Sequence, residues 1–475
     1  MIRTPEWFVR HITFPLHERA CGRDTLHQMR RFAADLRLPP DALADLARRR
    51  LQRLLAFAGR ELPYYRRLFA ACGVRPEQDD PYAALQRLPV LDKPTVRASA
   101  RDMTWPAVPG GLRPAVTGGT SGDTLSFFLD RAHHARNMGA RLALHQSLGV
   151  QPGDRRLFLW GSPIEVQRSP WRRVRDILLN ERIIDAFDLP PARLDAYLDF
   201  IRAYRPRLVY GYGTALALLA RHALRRGGPP LPPPRAVILT SDETSPDDRT
   251  AVQAAFGAPA LNEYGSREMG IIAHECLHGA LHVLTPLVHV EILRDGHPVP
   301  PGQPGRIVCT NLAGRAQPLI RYAQGDFGRL LPEPCACGSP LPVLRLEHAR
   351  TSGFLVLPDG RVFVDHVVSW RTPVDPSIVE YRVYQRALDR LEVFLVVDEH
   401  FTAAASERLR ARYREYFGPD IHVSIRVVDR IPPDPSGKRR FLVSDLCPAD
   451  LDPLTRTLLT PGPLHVPVSP AEERR

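Results

Sequence analysis

The first hundred residues carry apolar side chains at helical spacing. In the run ALADLARRRLQRLLAFAGRELPYYRRLF the leucines recur every three or four positions, with arginines between them. That period predicts amphipathic helices. Residues 1–105 therefore read as a helical N-terminal part, with Pro89 and Pro94 punctuating the connector that ends it. From about residue 112 to 330 the pattern changes. Short apolar runs, LFLW (157–160), RLVYGY (207–212) and RAVILTS (235–241), predict buried strands, and the amphipathic runs 131–148 and 213–226 separate them. Strands alternating with helices predict an α/β layer structure. The Pro-rich stretch RGGPPLPPPRA (226–236) reads as a surface connector.

Beyond residue 281 the runs shorten. LHVLTPLVHVEIL, GRIVCTNL and FGRLL read as short strands joined by Gly/Pro turns, a β-rich subdomain closing a core at 106–348. A smaller α+β domain, 349–448, follows. In it FLVLPDGRVFV predicts a hairpin with an Asp-Gly turn. EYRVYQRALDRLEVFLVV and IHVSIRVV predict further strands around the helix ASERLRARYREYF. The Pro-rich residues 449–475 are expected to be a loosely ordered tail. The fold class expected is thus α/β: a large N-terminal α/β domain with a β-rich subdomain, and a small C-terminal α+β domain.

At 475 residues the chain is too long for one ordinary core. With 44% hydrophobic and 24% charged residues it falls in the soluble globular range. No run approaches the ~20 apolar residues of a membrane span. No leader with a cleavage site is legible at the N-terminus, so a cytoplasmic protein is expected. Seven cysteines, an odd count, argue against a disulfide framework. The net charge is +12 and the pI about 9.7. The arginines are scattered and do not interleave with aromatics, so no nucleic acid is expected. A basic surface favours anionic small substrates such as nucleotides. Of 64 Lys plus Arg, only Lys93 and Lys438 are lysines. A lysine kept among so many arginines suggests a site for a compact, flexible point charge. For Lys93, chance survival is an equal reading.

Four short elements carry candidate chemistry. TGGTSGDTLSF (117–127) offers Gly118, Gly119 and Gly122 for close backbone approach, with hydroxyls on Thr117, Thr120 and Ser121. Such a loop can cradle phosphates through its N–H groups, or be a plain surface turn. No Gly-Lys-Ser/Thr follows, so it is not a P-loop. In NEYGSREMG (262–270), Tyr264 beside Gly265 and Ser266 offers a ring face for a flat base. Glu268 offers a carboxylate for Mg²⁺, or the element is a strand-end turn with a solvated Arg–Glu pair. In LIRYAQGDFG (319–328), Asp326 after a Gly at a strand end can accept two ribose hydroxyls; a turn Asp is the equal alternative. In PPDPSGKRRF (432–441), Lys438 on a loop can neutralise charge developing on a phosphate or carboxylate.

In this order and at these separations the four elements resemble the motifs of the adenylate-forming superfamily of acyl-CoA synthetases, adenylation domains and luciferases. LPYYRRLF and LPVLDK are similar to the phenylacetate–CoA ligase-like branch, which includes capsule-biosynthesis homologues. The resemblance covers residues from about 50 to 445. It implies a two-step reaction with ATP and Mg²⁺, in which a small carboxylic acid becomes an acyl-AMP and a thiol, CoA above all, displaces AMP. It implies that Thr117–Gly122 hold the β- and γ-phosphates, that Tyr264 packs on adenine, and that Asp326 binds the ribose. It also implies that Glu268 holds magnesium, that Arg350 approaches the nucleotide, and that Lys438 bridges the carboxylate and the α-phosphate. A C-terminal domain moving about a hinge belongs to the same implication. Two departures stand out. The hinge reads Ala349-Arg350-Thr351-Ser352 where the family has Gly-Arg-x-Asp, and Arg267 stands where many members have a small or hydroxylated residue, either a candidate phosphate ligand or only a feature of the branch. The acceptor is alternatively a carrier protein or an amine, and a nucleotide-binding homologue without turnover is the third reading. The oligomeric state is open, with a homodimer as one expectation.

HECLHGALH (274–282) and CACG (335–338) hold Cys276, His282, Cys335 and Cys337, a candidate Cys₃His zinc site. His274 and His278 are rival ligands, and ordinary turn cysteines are the alternative. Such a site would be closed, hence structural; some members of the branch carry one. Trp160, Tyr210, Tyr212 and Gly213 fall at predicted strand ends, where an acyl pocket is expected. Aromatic packing is an equal reading for each.

Overall fold

The structure is a computed structural model. It describes residues 4–116, 125–161, 170–186, 189, 191–241, 244, 246–294, 296–348, 354–364, 375, 377–431 and 442–446. The glycine-rich loop from Thr117 to Gly122, Arg350, Lys438 and the tail from 449 lie outside the described residues.

The N-terminal part is helical. A turn at Glu6–Phe8 runs through a π-type turn, Val9–Thr13, into α1 (Phe14–Ala20). Then follow α2 (Thr25–Asp35), α3 (Pro40–Glu61), α4 (Pro63–Ala71), α5 (Pro81–Arg87) and α6 (Lys93–Ala98). Proline in the first turn starts several of them, where its missing N–H costs nothing. Asp80 and Asp92 cap α5 and α6 by accepting backbone N–H bonds. On α3 the buried face is Leu43, Leu51, Leu54, Leu55 and Ala58, the helical spacing read from the sequence.

A hairpin, β1 (Arg113–Val116) and β2 (Ser126–Leu129), pairs Val116 with Ser126 across the glycine-rich loop. α7 (Arg131–Ser147), capped by Asp130, follows. The α/β alternation then runs β3 (Arg156–Leu159), α8 (Pro170–Leu178), β4 (Glu181–Ile184), α9 (Pro191–Tyr204), β5 (Leu208–Tyr212), α10 (Gly213–Arg226), β6 (Ala236–Thr240), α11 (Pro246–Phe256) and β7 (Ala260–Ser266). These strands are parallel. β5 and β6 are buried at every position, as strands covered on both faces must be.

At β7 the sheet changes character. β8 (Gly270–Glu275) returns antiparallel to β7. With β9 (Leu281–Val283), β10 (Val288–Arg294), β11 (His297–Pro298), β12 (Gly305–Asn311), β13 (Tyr322–Leu331) and β14 (Val343–His348) it completes a 12-stranded sheet. The order is β11-β10-β12-β13-β14-β9-β8-β7-β6-β5-β3-β4. The run LHVLTPLVHVEIL is not one strand but two, β9 and β10, broken where Leu287 and Val288 bond back to the Leu284 carbonyl. Asp326 does not end a strand either: it lies inside β13, in a bulge. Register passes from Arg306–Phe327 to Val308–Ala323, and Gly325 supplies a φ of +86°.

The C-terminal part begins with a hairpin, β15 (Phe354–Val356) and β16 (Val362–Val364), across Asp359-Gly360. A separate four-stranded sheet follows, in the order β19-β18-β17-β20. It comprises β17 (Ile378–Ala387), β18 (Arg390–Val397), β19 (His422–Val427) and β20 (Leu442–Ser444). Helix α12 (Ala403–Phe417) joins β18 to β19 and buries Ala405, Leu409, Tyr413 and Phe417. The fold is a large α/β unit with an antiparallel extension and a small C-terminal α+β unit.

Candidate functional site

The hairpin turn between β7 and β8 carries Arg267, Glu268 and Met269. Three contacts fix its shape. The Ser266 hydroxyl accepts from Met269 N–H at 3.2 Å, and Asn311 Nδ2 donates to the Glu268 carbonyl at 3.0 Å. Gly270 has a φ of +76° and leaves no room for a Cβ, which would lie 2.0 Å from Asn137 Oδ1. That same Oδ1 accepts from Ile271 N–H at 2.9 Å and seats the hairpin on α7.

Two tyrosine–carboxylate pairs cross between this hairpin and β13. Tyr264 donates its hydroxyl to Asp326 Oδ2 at 2.9 Å, and Tyr322 donates its hydroxyl to Glu268 Oε1 at 3.1 Å. Tyr322 and Glu268 are both buried. β13 stands four places from β7 in the sheet order. In a flat sheet four steps would separate them by roughly 19 Å, beyond the reach of a Tyr–Asp hydrogen bond. The antiparallel extension must therefore curl over the end of β7.

The root of the glycine-rich loop lies at the same place. Arg267 Nη1 donates to the carbonyl of Val116, the last residue of β1, at 3.2 Å. The β1–β2 hairpin is anchored from its other side by Gln317, whose Oε1 accepts Phe128 N–H at 2.9 Å. Asp130 Oδ2 accepts the N–H groups of Arg315 and Ala316. Two of the four sequence motifs, 262–270 and 319–328, thus meet through named contacts, and the strand that leads into the glycine-rich loop reaches the same place at Val116. Lys438 and Arg350 lie outside the described residues.

Two residues with no role assigned from sequence hold this arrangement. Tyr322 is one. The other is Arg321, buried at 2% exposure with a non-glycine φ of +55°. Its guanidinium pairs with Glu291 at 3.1 Å and donates to the Leu88 carbonyl, while its own carbonyl accepts from Leu91 N–H at 2.8 Å. Arg321 therefore straps the N-terminal helical part to the start of β13. Both sit in the RYAQGD string, and their adjacency to Asp326 was the only available signal.

The candidate acyl residues divide. Trp160 stacks on Tyr212 with ring centroids 4.4 Å apart and planes 13° from parallel. Gly213 starts α10 behind Tyr212. Tyr210 has its hydroxyl committed: it donates to Glu263 Oε1 at 2.8 Å, and Glu263 also pairs with Arg141 at 2.7 Å. Burial, opposed by the Arg141 charge and reinforced by that of Glu263, pushes the Tyr210 hydroxyl well above its usual range, so it stays protonated.

At the opposite end of β8, Cys276, His282, Cys335 and Cys337 converge with all four ligand atoms within 4.8 Å of one another. Cys276 Sγ is 3.7 Å from Cys335 Sγ, and Cys337 Sγ is 3.3 Å from His282 Nε2. His282 Nδ1 faces the Leu341 carbonyl at 3.1 Å, which leaves Nε2 as the metal-facing nitrogen. Three sulfurs and one imidazole at this separation fit a tetrahedral Zn²⁺. His274 is not part of this set. Its Nδ1 is 2.8 Å from the Glu275 carbonyl, and its ring lies 6.4 Å from that of His145.

The C-terminal residues 359–445 match the family model of the CapK C-terminal domain. The chain is 22% identical to Protein CapK of Staphylococcus aureus over 378 residues, 77% of this chain and 81% of that one. It is 24% identical to phenylacetate-coenzyme A ligase of Thermus thermophilus over 457 residues, 85% of this chain and 96% of that one. Among solved structures it is similar to 2-hydroxyisobutyryl-CoA ligase in complex with 2-HIB-AMP and CoA. That likeness has a TM-score of 0.59 and 18% identity, and covers 86% of this chain and 92% of that one.

Proposed function

We propose that this chain, a member of the adenylate-forming superfamily in its phenylacetate–CoA ligase-like branch, activates a small carboxylic acid with ATP and passes the acyl group to the thiol of CoA. The observation that carries the reading is the crossing of Tyr264–Asp326 and Tyr322–Glu268 beside the root of the glycine-rich loop. Those contacts bring Tyr264, Asp326, Glu268 and the end of β1 into one neighbourhood, which supports the reading.

In this reading a substrate carboxylate oxygen attacks the α-phosphorus. The bond to the bridging oxygen breaks, and pyrophosphate leaves with its electron pair. Thr117, Gly118, Gly119, Thr120, Ser121 and Gly122 cradle the departing phosphates, and Arg267 stands at their stem. Gly265 and Ser266 shape the turn that presents Tyr264 to the adenine. Asp326 receives the ribose hydroxyls, exchanging the Tyr264 hydroxyl for them. Glu268 is placed to hold Mg²⁺, a cation that spreads the charge of the triphosphate. Lys438 neutralises charge on the pentavalent transition state, and Arg350 approaches the nucleotide. A thiolate then attacks the acyl carbon and expels AMP, its proton having passed to solvent. Trp160, Tyr212 and Gly213 form the acyl wall; Tyr210 supports it through Glu263. The Cys₃His cluster holds a structural Zn²⁺. The C-terminal unit, 349–448, moves about a hinge between the two half-reactions.

Incubation with ATP, Mg²⁺, CoA and a panel of carboxylic acids tests the reading. AMP and the acyl thioester should form together, in equal amounts, for a preferred acid. AMP that accumulates without thioester, but with an acylated carrier or amine when those are supplied, would change the acceptor. Release of ADP in place of AMP would overturn the proposal.

A further inference from the structure

Ten large apolar side chains are well exposed among the described residues, and six of them lie on two adjacent elements. Trp171, Val174 and Leu178 are 82%, 46% and 41% exposed on α8. Their spacing of three and four puts them on one helix face. Trp7, Ile12 and Leu16, 63%, 40% and 56% exposed, lie on the N-terminal helical segment. The two elements are tied side by side. Thr4 Oγ1 donates to the Ile177 carbonyl at 2.8 Å, Thr13 Oγ1 donates to the Leu178 carbonyl at 2.6 Å, and Asn180 Nδ2 donates to the Thr4 carbonyl at 2.9 Å.

Basic residues interleave with this apolar set. Helix α8 carries Arg172, Arg173 and Arg175 against a single acid, Asp176, which pairs with Arg175. The chain as a whole has a net charge of +12. A second copy of the chain fits this face poorly. A two-fold contact sets the same patch against itself and would bring two arginine clusters together. An anionic bilayer surface fits both features. Tryptophan rings settle at the headgroup level, short apolar faces enter the acyl boundary, and arginines meet lipid phosphates.

We propose that α8 and the N-terminal helical segment form a peripheral docking surface for a membrane rich in anionic lipid. The chain lies on the bilayer and does not span it; no helix of the described residues is long and apolar enough to cross one. Neither element carries a residue assigned to the acyl or nucleotide site, so this inference stands apart from the activity proposed above.

Flotation of the full-length protein with phosphatidylcholine vesicles, with and without about a quarter phosphatidylglycerol, tests it. The wild type should float with the anionic vesicles and be released by high salt. Neutral vesicles should capture at least about tenfold less. The double variant Trp171→Ser/Val174→Ser should lose most of the binding, and Arg172→Glu/Arg173→Glu should lose the preference for anionic lipid. Both should keep the unfolding temperature of the wild type; if the apolar pair unfolds, the arginine pair decides. Wild-type protein that stays behind with anionic vesicles would overturn the proposal, as would variants that float like the wild type. So would a wild-type dimer in light scattering that Trp171→Ser/Val174→Ser converts to monomer, because the face would then cover itself.

Discussion

The β7–β8 hairpin has two ends with opposite chemistry. At the turn, Glu268 accepts a hydroxyl from Tyr322, and Tyr264 at the end of β7 gives its own to Asp326. The protein satisfies those carboxylates itself and holds them in place before any ligand arrives. At the far end, Cys276 approaches Cys335 and Cys337 approaches His282, with ligand atoms gathered inside 4.8 Å. No carboxylate or amide stands in that set. Its geometry fits a tetrahedral cation, and a Zn²⁺ there would contribute folding free energy outright. The same strand pair thus carries a preorganised polar site at one end and a Cys₃His cluster that fits a metal at the other. Activity and stability should separate along it.

Glu268→Gln gives the largest effect expected at the turn. Acid-dependent ATP–pyrophosphate exchange should fall by roughly 10²–10³, while the unfolding temperature stays near that of the wild type, since the amide oxygen still accepts from Tyr322. Cys335→Ser should invert the pattern. Metal analysis should find about one Zn²⁺ per wild-type chain and little in the variant. The unfolding temperature should drop by roughly 5 °C or more, with exchange per folded molecule retained at low temperature. If Cys335→Ser silenced exchange without loss of stability, the division would be broken.

Acid should act on the whole fold through its buried histidines. His133, His134 and His289 are held down to about 4 by burial, and His145 well below its ordinary range by burial and then by Arg156. Both ring nitrogens of His145 and Nε2 of His274 are buried with no hydrogen-bond partner. The folded state keeps these rings neutral, whereas the unfolded chain protonates them near 6.5. Stability is therefore full above about 6.5 and falls as pH drops from there toward 4. Urea titrations at a series of pH values should show this loss. His145→Gln should flatten it, because glutamine carries no titrating proton. The smallest effect expected is that of Tyr322→Phe. Removing one hydroxyl from Glu268 is worth about 1 kcal/mol. It should appear as a roughly fivefold higher Mg²⁺ requirement in exchange, with little change in stability.

Much of this fold was legible. Helical spacing in residues 40–61 and continuous apolar runs at 208–212 and 236–240 each report a local environment, and the structure places α3, β5 and β6 there. The convergence of Cys276, His282, Cys335 and Cys337 was also legible, because their residue types are rare and specific. The crossing pairs were not. Tyr264 and Asp326 are 62 residues apart, and their contact depends on how far the antiparallel extension curls, which no period in the sequence encodes. Gly-Asp looks the same in a turn and in a bulged strand, so the sequence does not tell the bulge that carries Asp326 from a strand end. The place of Tyr210 at a predicted strand end points to a pocket. Its partner Glu263 sits 53 positions away, on a strand that pairs with the neighbouring β6 and not with β5.

The most direct test of the shared ATP site is to measure the two half-reactions separately in the wild type and in Lys438→Ala. The wild type should exchange pyrophosphate into ATP only when acid and Mg²⁺ are both present. The variant should lose that exchange by orders of magnitude yet still pass a preformed acyl-AMP to CoA. Wild-type protein that exchanges no pyrophosphate with any acid, or a variant equally impaired in both half-reactions, would contradict the account.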